Sequence, residues 1–365
     1  MPAAPAPRRR RLPGWALALV VVGATAAAGS PAGPVAGAVR PAGAVQPAGP
    51  RPVTASAPRS AAGTVHPVDR PVLVRPGRPA PTRLPQAGTG GASIAGCPLF
   101  PPDNPWRQAI AAAPLNPRSA AWVASIGAGR FLHPDFGSDP SYGIPYSVVP
   151  AGQAKVPVTF TDYGDESDQG PYPIPSGARI EAGSDAHVLV ASGDCHLYEL
   201  FGAARSGSGW TAASGAVFDL RSNALRPAGW TSADAAGLPI LPGLVRRDEV
   251  LAGHIDHALR FTVATTSRGY ISPATHQAGA TTDPNVPPMG ARFRLKASFD
   301  LSPYSGASRV ILQALKTYGM FVADNGSNWF LSGASDGGWN DTDLDQLKRV
   351  PGSAFEAVDT GPVHS

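Results

Sequence analysis

The sequence holds few of the side chains that carry out covalent catalysis. It has two cysteines and eight histidines in 365 residues. Neither Cys97 nor Cys195 has a plausible histidine partner for nucleophilic catalysis. The cysteines therefore offer no support for covalent acyl transfer.

A zinc site has equally little support. The stretch AGHIDHALRF, residues 252–261, carries His254 and His257, which would lie on one face if the segment were a helix. Zinc needs three or four protein ligands, and no further cysteines or histidines with suitable spacing lie nearby. We expect no metal at these histidines and no cofactor.

One acidic run is a candidate for calcium. Four carboxylates fall within seven residues, and carboxylate oxygens are the ligands that Ca²⁺ prefers; they are Asp162, Asp165, Glu166 and Asp168. A solvated turn is the favoured alternative, because the spacing matches no calcium loop. The stretch NDTDLDQL, 340–347, lacks the glycine and the closing glutamate of an EF-hand and predicts the start of a helix instead.

No apolar run reaches the length of a membrane span. The run WALALVVVGATAAA, residues 15–28, falls short of the roughly 20 residues that a span requires. It follows the arginines at 8–11 and ends in an A-x-A pattern before Gly29, which is typical of a secretory signal peptide. We predict a signal peptide over 1–28 and therefore export; an uncleaved anchor is the alternative.

Acidic residues are nearly missing from the first 92 positions. This part holds 11 of the 30 basic residues and 17 of the 41 prolines, but one acid, Asp69. Such a chain buries too little apolar surface to fold, so we predict a disordered tether over 29–92. The remaining residues, 93–365, are predicted to form a single globular domain with a formal charge of −6. The basic character of the chain belongs to the tail, so it does not indicate nucleic-acid binding.

Export gives the two cysteines a structural meaning. An isolated pair in an oxidising compartment is expected to be bridged, so we predict a disulfide between Cys97 and Cys195. The bridge would close a loop of about 100 residues and constrain the unfolded chain. Two separate buried thiols are the alternative.

Short strand patterns dominate the predicted globular domain. They are bounded by glycine, proline or aspartate and lie at 156–160, 186–191, 196–201, 214–220 and 291–299. The stretch HVLVASGDCHLYELF predicts a hairpin, and GMFVADNGSNWFLSG predicts a second one around Asn325-Gly326.

Helix patterns are rarer. An amphipathic helix is predicted between Ser305 and Gly319, and a short one over 245–253. We predict a mainly β fold, a two-sheet sandwich or jelly-roll with one packed amphipathic helix. An α+β fold with one curved sheet is the alternative.

The candidate site residues lie in three regions: residues 214–249, the segment 254–263 and the predicted strand 291–299. Residues 214–249 are rich in glycine, aromatic and acidic residues, and the segment HIDHALRFTV reads as a strand with Arg260 on its polar side. We predict an acid and base set of Asp234, Glu249 and His257. The predicted substrate-binding residues are Arg226, Trp230, Arg260, Arg294 and Lys296. The polar sides of the predicted strands at 257–263 and 291–299 are expected to face one groove. The alternative is that each of these residues has only a structural role.

Long stretches of the chain resemble a recurring family of secreted bacterial proteins, found in actinobacteria among others. The resemblance covers nearly all of residues 95–358 and includes SGAVFDLRSNALRPAGWTSADAAGLPILPGLVRRDEV, HALRFTV and ALKTYGMFVADNGSNWFLSG. It implies export and one extracellular domain, and it brings no established activity. The match at HALRFTV favours His257 over His254 as a candidate.

These observations together predict a secreted protein that binds or degrades extracellular polysaccharide. If it is an enzyme, the paired acids favour a glycoside hydrolase, and His257 with basic neighbours would favour a polysaccharide lyase. We expect a monomer with no nucleic-acid partner. The alternative is a non-catalytic structural protein of the cell envelope that binds other proteins.

Overall fold

A computed structural model of the protein describes residues 92–365. The predicted signal peptide and nearly all of the predicted tether lie outside the described residues. The described chain is mainly β, with short strands in several sheets and few helices, which confirms the predicted sandwich-like class. The helices are α1 (Ser119–Ile126), α2 (Arg247–Ala252), α3 (Gly306–Thr317) and α4 (Asp341–Leu344).

The strands are short, and most are bounded by turns that contain glycine or proline. The first nine are β1 (Ser93–Ile94), β2 (Cys97–Pro98), β3 (His133–Asp135), β4 (Tyr146–Val149), β5 (Val158–Phe160), β6 (Val188–Ser192), β7 (His196–Phe201), β8 (Ala204–Ser206) and β9 (Gly209–Ala212). The others are β10 (Ser214–Asp219), β11 (Leu259–Val263), β12 (Ser267–Ile271), β13 (Pro288–Met289), β14 (Arg292–Leu295), β15 (Met320–Asn325), β16 (Phe330–Ser332), β17 (Phe355–Val358) and β18 (Val363–His364).

Two larger sheets share the main hydrophobic core. One has six strands in the order β17-β14-β15-β11-β16-β3, and the other has four in the order β10-β7-β6-β4. A three-stranded sheet, β5-β9-β8, packs on the far side of the four-stranded sheet around a second, smaller core. The four-stranded sheet is therefore covered on both faces.

Alternation along β7 assigns its side chains to the two cores. Leu197 lies in the main core, whereas Tyr198 and Leu200 lie in the smaller one. Glu199 has the parity of Leu197 and therefore points toward the main core. A carboxyl group on the core side of a buried strand must find hydrogen-bond donors there.

Aromatic side chains fill the core face of the six-stranded sheet. The ring of Trp329 stacks on Phe261 and on Phe355, with centroids 5.5 and 5.2 Å apart, and meets Phe293 edge-on at 5.8 Å. Large buried rings of this kind dominate core stability. Since Phe261 points into the core, its neighbour Arg260 points to the opposite face of the sheet.

The predicted hairpin of β6 and β7 is confirmed, because the two strands pair antiparallel. The second predicted hairpin is wrong. β15 and β16 are not hydrogen-bonded to each other, because β11 lies between them, parallel to β15 and antiparallel to β16. The apolar strand β11 thus occupies a central position, where both of its edges are paired.

The predicted amphipathic helix is confirmed as α3 over Gly306–Thr317. The side chain of Ser305 does not cap it. The carboxylate of Asp343, in α4, accepts the Ala307 and Ser308 N–H groups at 2.6 and 3.3 Å instead. A carboxylate at this end is favoured by the helix dipole.

The predicted disulfide is also confirmed. Cys97 and Cys195 are bonded, with Cα atoms 5.4 Å apart and 98 positions apart in sequence. The bond ties β2 to the turn of the β6–β7 hairpin. Among residues 92–365, no helix combines the length and the apolar character needed to cross a membrane.

Candidate functional site

An acidic cleft of about 320 Å³ opens on the polar face of the six-stranded sheet. The loops that precede β4 and β6 form its other wall. We call it the acidic cleft and define it by Asp135, Tyr142, Glu181, His187, Arg260, Thr262, Asp324, Phe330 and Ser332. Several titratable side chains from different segments meet there.

Strand register places three of these residues side by side. Ser332 pairs with Asp135 across β16 and β3, and the Arg260 Nη1 group donates a hydrogen bond to Ser332 Oγ at 2.9 Å. Neighbouring strands put paired residues on the same face of a sheet. The polar side of three adjacent strands therefore forms the floor of the acidic cleft.

A β-bulge adds Asp324 to this face. The register between β11 and β15 shifts after Phe261, so that Asp324 pairs with Thr262. In a regular strand, Asp324 would have the same parity as Met320 and Val322, which are fully buried. The extra residue reverses that parity and turns the carboxyl group toward Arg260, with Oδ2 3.9 Å from Nη2.

The guanidinium of Arg260 is buried and tied to a second acid. Its Nε and Nη2 groups both donate to Asp234 Oδ2, at 3.1 and 2.7 Å. Asp234 is 1% exposed and its other oxygen accepts the Ala236 N–H. Asp234 lies behind Arg260, so it fixes the guanidinium without lining the acidic cleft.

His187 and Glu181 form the opposite pair. The His187 Nε2 group lies 2.9 Å from the Ala233 carbonyl oxygen, and Nδ1 contacts Glu181 Oε2. Both ring nitrogens face acceptors, which requires two N–H groups and therefore a charged ring. Burial alone would lower the pKa of His187, but the hydrogen bond and the charge of Glu181 outweigh it and raise the pKa.

One oxygen of Glu181 is left for a ligand. Oε2 accepts from the ring and from the backbone N–H of His187, whereas Oε1 makes no hydrogen bond within residues 92–365. Glu181 lines the acidic cleft. A carboxylate held at one oxygen by a charged histidine presents its other oxygen in a defined orientation.

The carboxyl group of Asp324 lies in a different environment from that of Glu181. Burial, together with the negative charge of Asp234, raises its pKa to about 7, although Arg260 acts against the shift. A quarter of the side-chain surface stays open to the acidic cleft. Near neutral pH this group exists in both forms, which is the condition for a proton donor.

Glu199 continues the chain of buried acids behind the cleft. Its carboxyl oxygens accept the backbone N–H groups of Ile240 and Leu241 at 2.8–3.0 Å. Burial raises its pKa to about 7 in spite of these hydrogen bonds. These N–H groups are the hydrogen-bond donors that a carboxyl group on the core side of β7 needs. Glu199 does not line the acidic cleft.

Aromatic rings and a third carboxylate complete the walls. Tyr142 is 54% exposed at the rim, and Phe330 stacks on His133 with centroids 4.2 Å apart. Partial burial raises the pKa of Asp135, and the charge of Glu181 acts in the same direction. The acidic cleft thus combines flat apolar surfaces with carboxyl groups in different surroundings.

Two of the predicted site residues, Asp234 and Arg260, form an ion pair beside the acidic cleft, and of the two Arg260 lines it. Glu249 and His257 also meet, since His257 Nε2 lies 3.1 Å from the carboxylate, but they do so elsewhere. His257 is fully buried, and Glu249 also contacts Arg246 at 2.8 Å. Neither of them lines the acidic cleft.

The other predicted binding residues lie apart from it. Arg226 donates to Asp168 and to the Thr231 carbonyl oxygen, and its guanidinium lies 5.7 Å from the ring of Trp230. Arg294 pairs with Glu356 at 2.8 Å. These contacts give Arg226 and Arg294 structural roles.

The predicted strand 291–299 is shorter than expected and ends at Leu295. Lys296 therefore leaves the sheet and donates to the Ser353 carbonyl oxygen at 2.8 Å. Since β15 also separates β11 from β14, the expected shared groove of Arg260 and Lys296 does not form.

The carboxylates proposed for calcium are directed to different partners. Asp168 accepts from Val217 N–H and Arg226, Glu166 accepts from Thr231 N–H, and Asp162 accepts from Thr161 Oγ1. Asp165 is exposed. Within residues 92–365, no three His, Cys, Asp or Glu side chains are grouped so that they could hold a metal ion.

Sequence reasoning missed four members of the acidic cleft: Asp135, Glu181, His187 and Asp324. The available signal was a charged residue within or beside an apolar strand, as in AHVLVA and MFVADN. Comparisons of the chain with protein families, with curated proteins and with solved structures find no match.

Proposed function

We propose that the protein is a secreted glycoside hydrolase that cleaves an extracellular polysaccharide in the acidic cleft. The observation that carries this proposal is the contrast between Asp324, whose pKa is raised to about 7 by burial, and Glu181, which is paired with a charged histidine in the same cleft. Two carboxyl groups in different environments are the chemical requirement for glycosidic hydrolysis.

In the proposed reaction, protonated Asp324 donates its proton to the glycosidic oxygen as the bond to the sugar carbon breaks. The free oxygen of Glu181 faces the developing positive charge. In an inverting reaction it takes a proton from the water that adds to that carbon. In a retaining reaction it bonds to the carbon instead, and the deprotonated Asp324 then takes a proton from the water that displaces Glu181. Arg260 positions Asp324 and, through Ser332, the floor of the acidic cleft.

The walls of the acidic cleft support a sugar as the substrate. The exposed ring of Tyr142 offers a flat surface for a pyranose, and Asp135 and Thr262 offer hydrogen-bonding groups. The excess of carboxyl groups favours hydrolysis over lyase chemistry, since a lyase would need basic groups beside the uronate that it cleaves.

The disulfide and the predicted signal peptide support a place outside the cell. A bridge between Cys97 and Cys195 is stable in an oxidising compartment and is seldom kept in a reducing cytosol. Such a place would bring the acidic cleft into contact with cell-wall or extracellular polysaccharide.

The test is a screen of the full secreted chain on a panel of purified polysaccharides, with release of reducing ends as the readout. We expect release from at least one polymer, and a loss of about 100-fold or more in Asp324→Asn and Glu181→Gln. Asp162→Asn, an exposed change outside the acidic cleft, should leave the rate unchanged.

A different set of results would reject hydrolysis. If the wild-type chain bound a polymer without releasing reducing ends, the acidic cleft would be a binding site only. If it bound none, and cross-linking on intact cells recovered proteins alone, the structural envelope role would replace the proposal.

A further inference from the structure

We propose that a second cleft, next to the acidic cleft, binds the carboxylate of an acidic sugar residue in the same polymer chain. This proposal rests on the proposed polysaccharide substrate and narrows it to polyuronates. We call the second site the arginine cleft. It has a volume of about 300 Å³ and is lined by Tyr146, Val148, Arg179, Arg247, Ala334 and Ser335, together with Asp248 and Asp336.

The two clefts are joined by a pair of chain segments that run through both. Ile144 and Ser332 line the acidic cleft, while Tyr146 and Ser335 line the arginine cleft. The segments are hydrogen-bonded between them, from Ile144 N–H to the Gly333 carbonyl oxygen at 3.0 Å. Three residues of extended chain span about 10 Å, so neighbouring sugar rings of one polymer can reach both clefts.

Two guanidinium groups in the arginine cleft have no acidic partner. Arg179 donates to Ser335 Oγ at 2.7 Å, and Arg247 donates to the Gly338 carbonyl oxygen at 2.8 Å. Neither forms a salt bridge within residues 92–365. Each therefore keeps free N–H groups for an incoming carboxylate.

The two acids of the arginine cleft are already engaged. Asp336 Oδ1 accepts the Gly338 N–H at 2.7 Å, and Asp248 Oδ1 lies 3.3 Å from Arg246 Nε. Neither of them forms a salt bridge with Arg179 or Arg247. The arginine cleft retains positive groups that a carboxylate can pair with.

Arg247 is held in place before any ligand arrives. Its guanidinium lies so close to Gly338 that an added Cβ there would fall 2.5 Å from Arg247 Cζ. Together with the hydrogen bond to the Gly338 carbonyl oxygen, this contact restricts the side chain. A cation that is already oriented loses less entropy when it binds an anion.

An apolar surface lies beside these cations. Val148 is 54% exposed on β4, an edge strand, and the ring of Tyr146 is next to it in the arginine cleft. A sugar ring with an apolar face and a charged substituent fits such a combination. A small inorganic anion would not use the apolar surface.

The experiment compares polygalacturonate and alginate with their carboxyl-reduced forms, which keep the backbone and lose the charge. We expect wild-type protein to bind at least one acidic polymer more tightly than its reduced form. Arg179→Gln and Arg247→Gln should each lower affinity for that acidic polymer by about tenfold and leave affinity for the reduced form unchanged.

Arg268→Gln serves as the matched control, because Arg268 is an exposed arginine that lines neither cleft. Equal losses for the acidic and reduced polymers, no loss in either variant, or no binding of any acidic polymer would overturn the inference. Thermal melting of each variant checks that the fold is intact.

A catalytic variant separates this inference from the proposed function. Asp324→Asn should still bind the acidic polymer through the arginine cleft while it releases reducing ends about 100-fold more slowly than the wild type. Binding that depends on both arginines in a protein without hydrolysis would support the arginine cleft and reject the enzyme. Hydrolysis of neutral polymers alone would support the enzyme and reject the arginine cleft.

Discussion

Two acids share the guanidinium of Arg260, at unequal distances. Asp234 accepts two hydrogen bonds from it, whereas the nearest oxygen of Asp324 lies 3.9 Å away. The ion pair therefore forms with Asp234. Burial and then the charge of Asp234 raise the pKa of Asp324 to about 7, so the more distant acid becomes the one that can carry a proton at neutral pH.

The pH dependence of hydrolysis follows from this arrangement. A general acid must be protonated, so we expect kcat/KM to fall as the pH rises, with a midpoint near 7 set by Asp324. Measurement from pH 5 to 9 checks the midpoint. In Asp324→Asn the residual rate should lose this alkaline decline; a variant that kept it would show that another group donates the proton.

Asp234 is predicted to matter for stability more than for the reaction itself. In Asp234→Asn the guanidinium of Arg260 stays buried without its counter-charge, and breaking a buried pair from one side costs about 3 to 5 kcal/mol. We expect a loss of that order in the free energy of unfolding by urea.

The double variant Asp234→Leu with Arg260→Met is the control for this prediction. It removes both charges and should recover much of the stability, because no unpaired charge remains. An Asp234→Asn protein as stable as the wild type would contradict the proposed role of the pair.

Residue types alone identified some pairs and missed others. The sequence singled out Glu249 and His257, which do meet, but in a buried network with Arg246. It passed over His187, whose partner Glu181 is six positions away and lies across a loop. Which acid meets which base depends on the path of the loops, and local patterns do not determine that path.

At the level of the strands, β15 shows how an irregularity creates the site. Alternation in MFVADN places Asp324 with the buried Met320 and Val322, and a regular strand would have left it in the core. The bulge between β11 and β15 reverses this parity. The stretch before Asn325-Gly326 was correctly predicted to be a strand, whereas the bulge arises from the pairing of β15 with β11.

The hairpin that failed has a similar explanation. Asn325-Gly326 suits a tight turn, yet Gly326 N–H donates to the Val263 carbonyl oxygen at 3.0 Å, and β11 takes the place between the two strands. The strand β11, which is distant in the sequence, pairs with the edges of both β15 and β16, because LRFTV is apolar enough for a central position.

The disulfide is predicted to stabilise the contact between β2 and the β6–β7 turn. It closes a loop whose ends are 98 positions apart, so its removal in Cys97→Ser with Cys195→Ser should lower the free energy of unfolding by about 2 to 5 kcal/mol. Urea unfolding with and without reductant measures this. Reductant should shift the wild type and leave the double variant unchanged; equal stabilities in both would contradict the prediction.

Behind and around the acidic cleft, acidic side chains outnumber the basic side chains that could pair with them. The basic groups are Arg260 and His187, and the acids are Asp234, Asp324, Glu181 and Glu199. The excess negative charge is relieved when protons bind. Asp324 and Glu199 therefore share a pKa of about 7, each raised first by burial.

This excess predicts that the fold weakens as the pH rises. Between the unfolded pKa of Glu199, 4.5, and its folded value of about 7, the folded protein binds more protons than the unfolded chain. Its contribution is present below that window and is lost as the pH passes 7, at a cost of about 3 kcal/mol. Asp324 and His187 act in the same direction, since their pKa values are also raised.

We therefore expect a lower melting temperature at pH 8 than at pH 5.5. Glu199→Gln should reduce the difference, because a carbonyl oxygen in the place of Oε1 can still accept the Ile240 and Leu241 N–H groups. Calorimetry at several pH values provides the measurement. A melting temperature that rises toward pH 8 would contradict the proposed charge balance.

The strand, helix and disulfide predictions came from information that is local in the sequence. Short runs bounded by glycine, proline or aspartate indicated β7 and β10, period 3.6 indicated α3, and an isolated cysteine pair in an exported chain indicated the bridge. The acidic cleft depended on long-range pairing: β11 enters between β15 and β16, a bulge turns Asp324 outward, and a loop brings Glu181 to His187. Such contacts are selected by the packing of the whole core, because burial and hydrogen bonding are satisfied jointly over many segments and not within one.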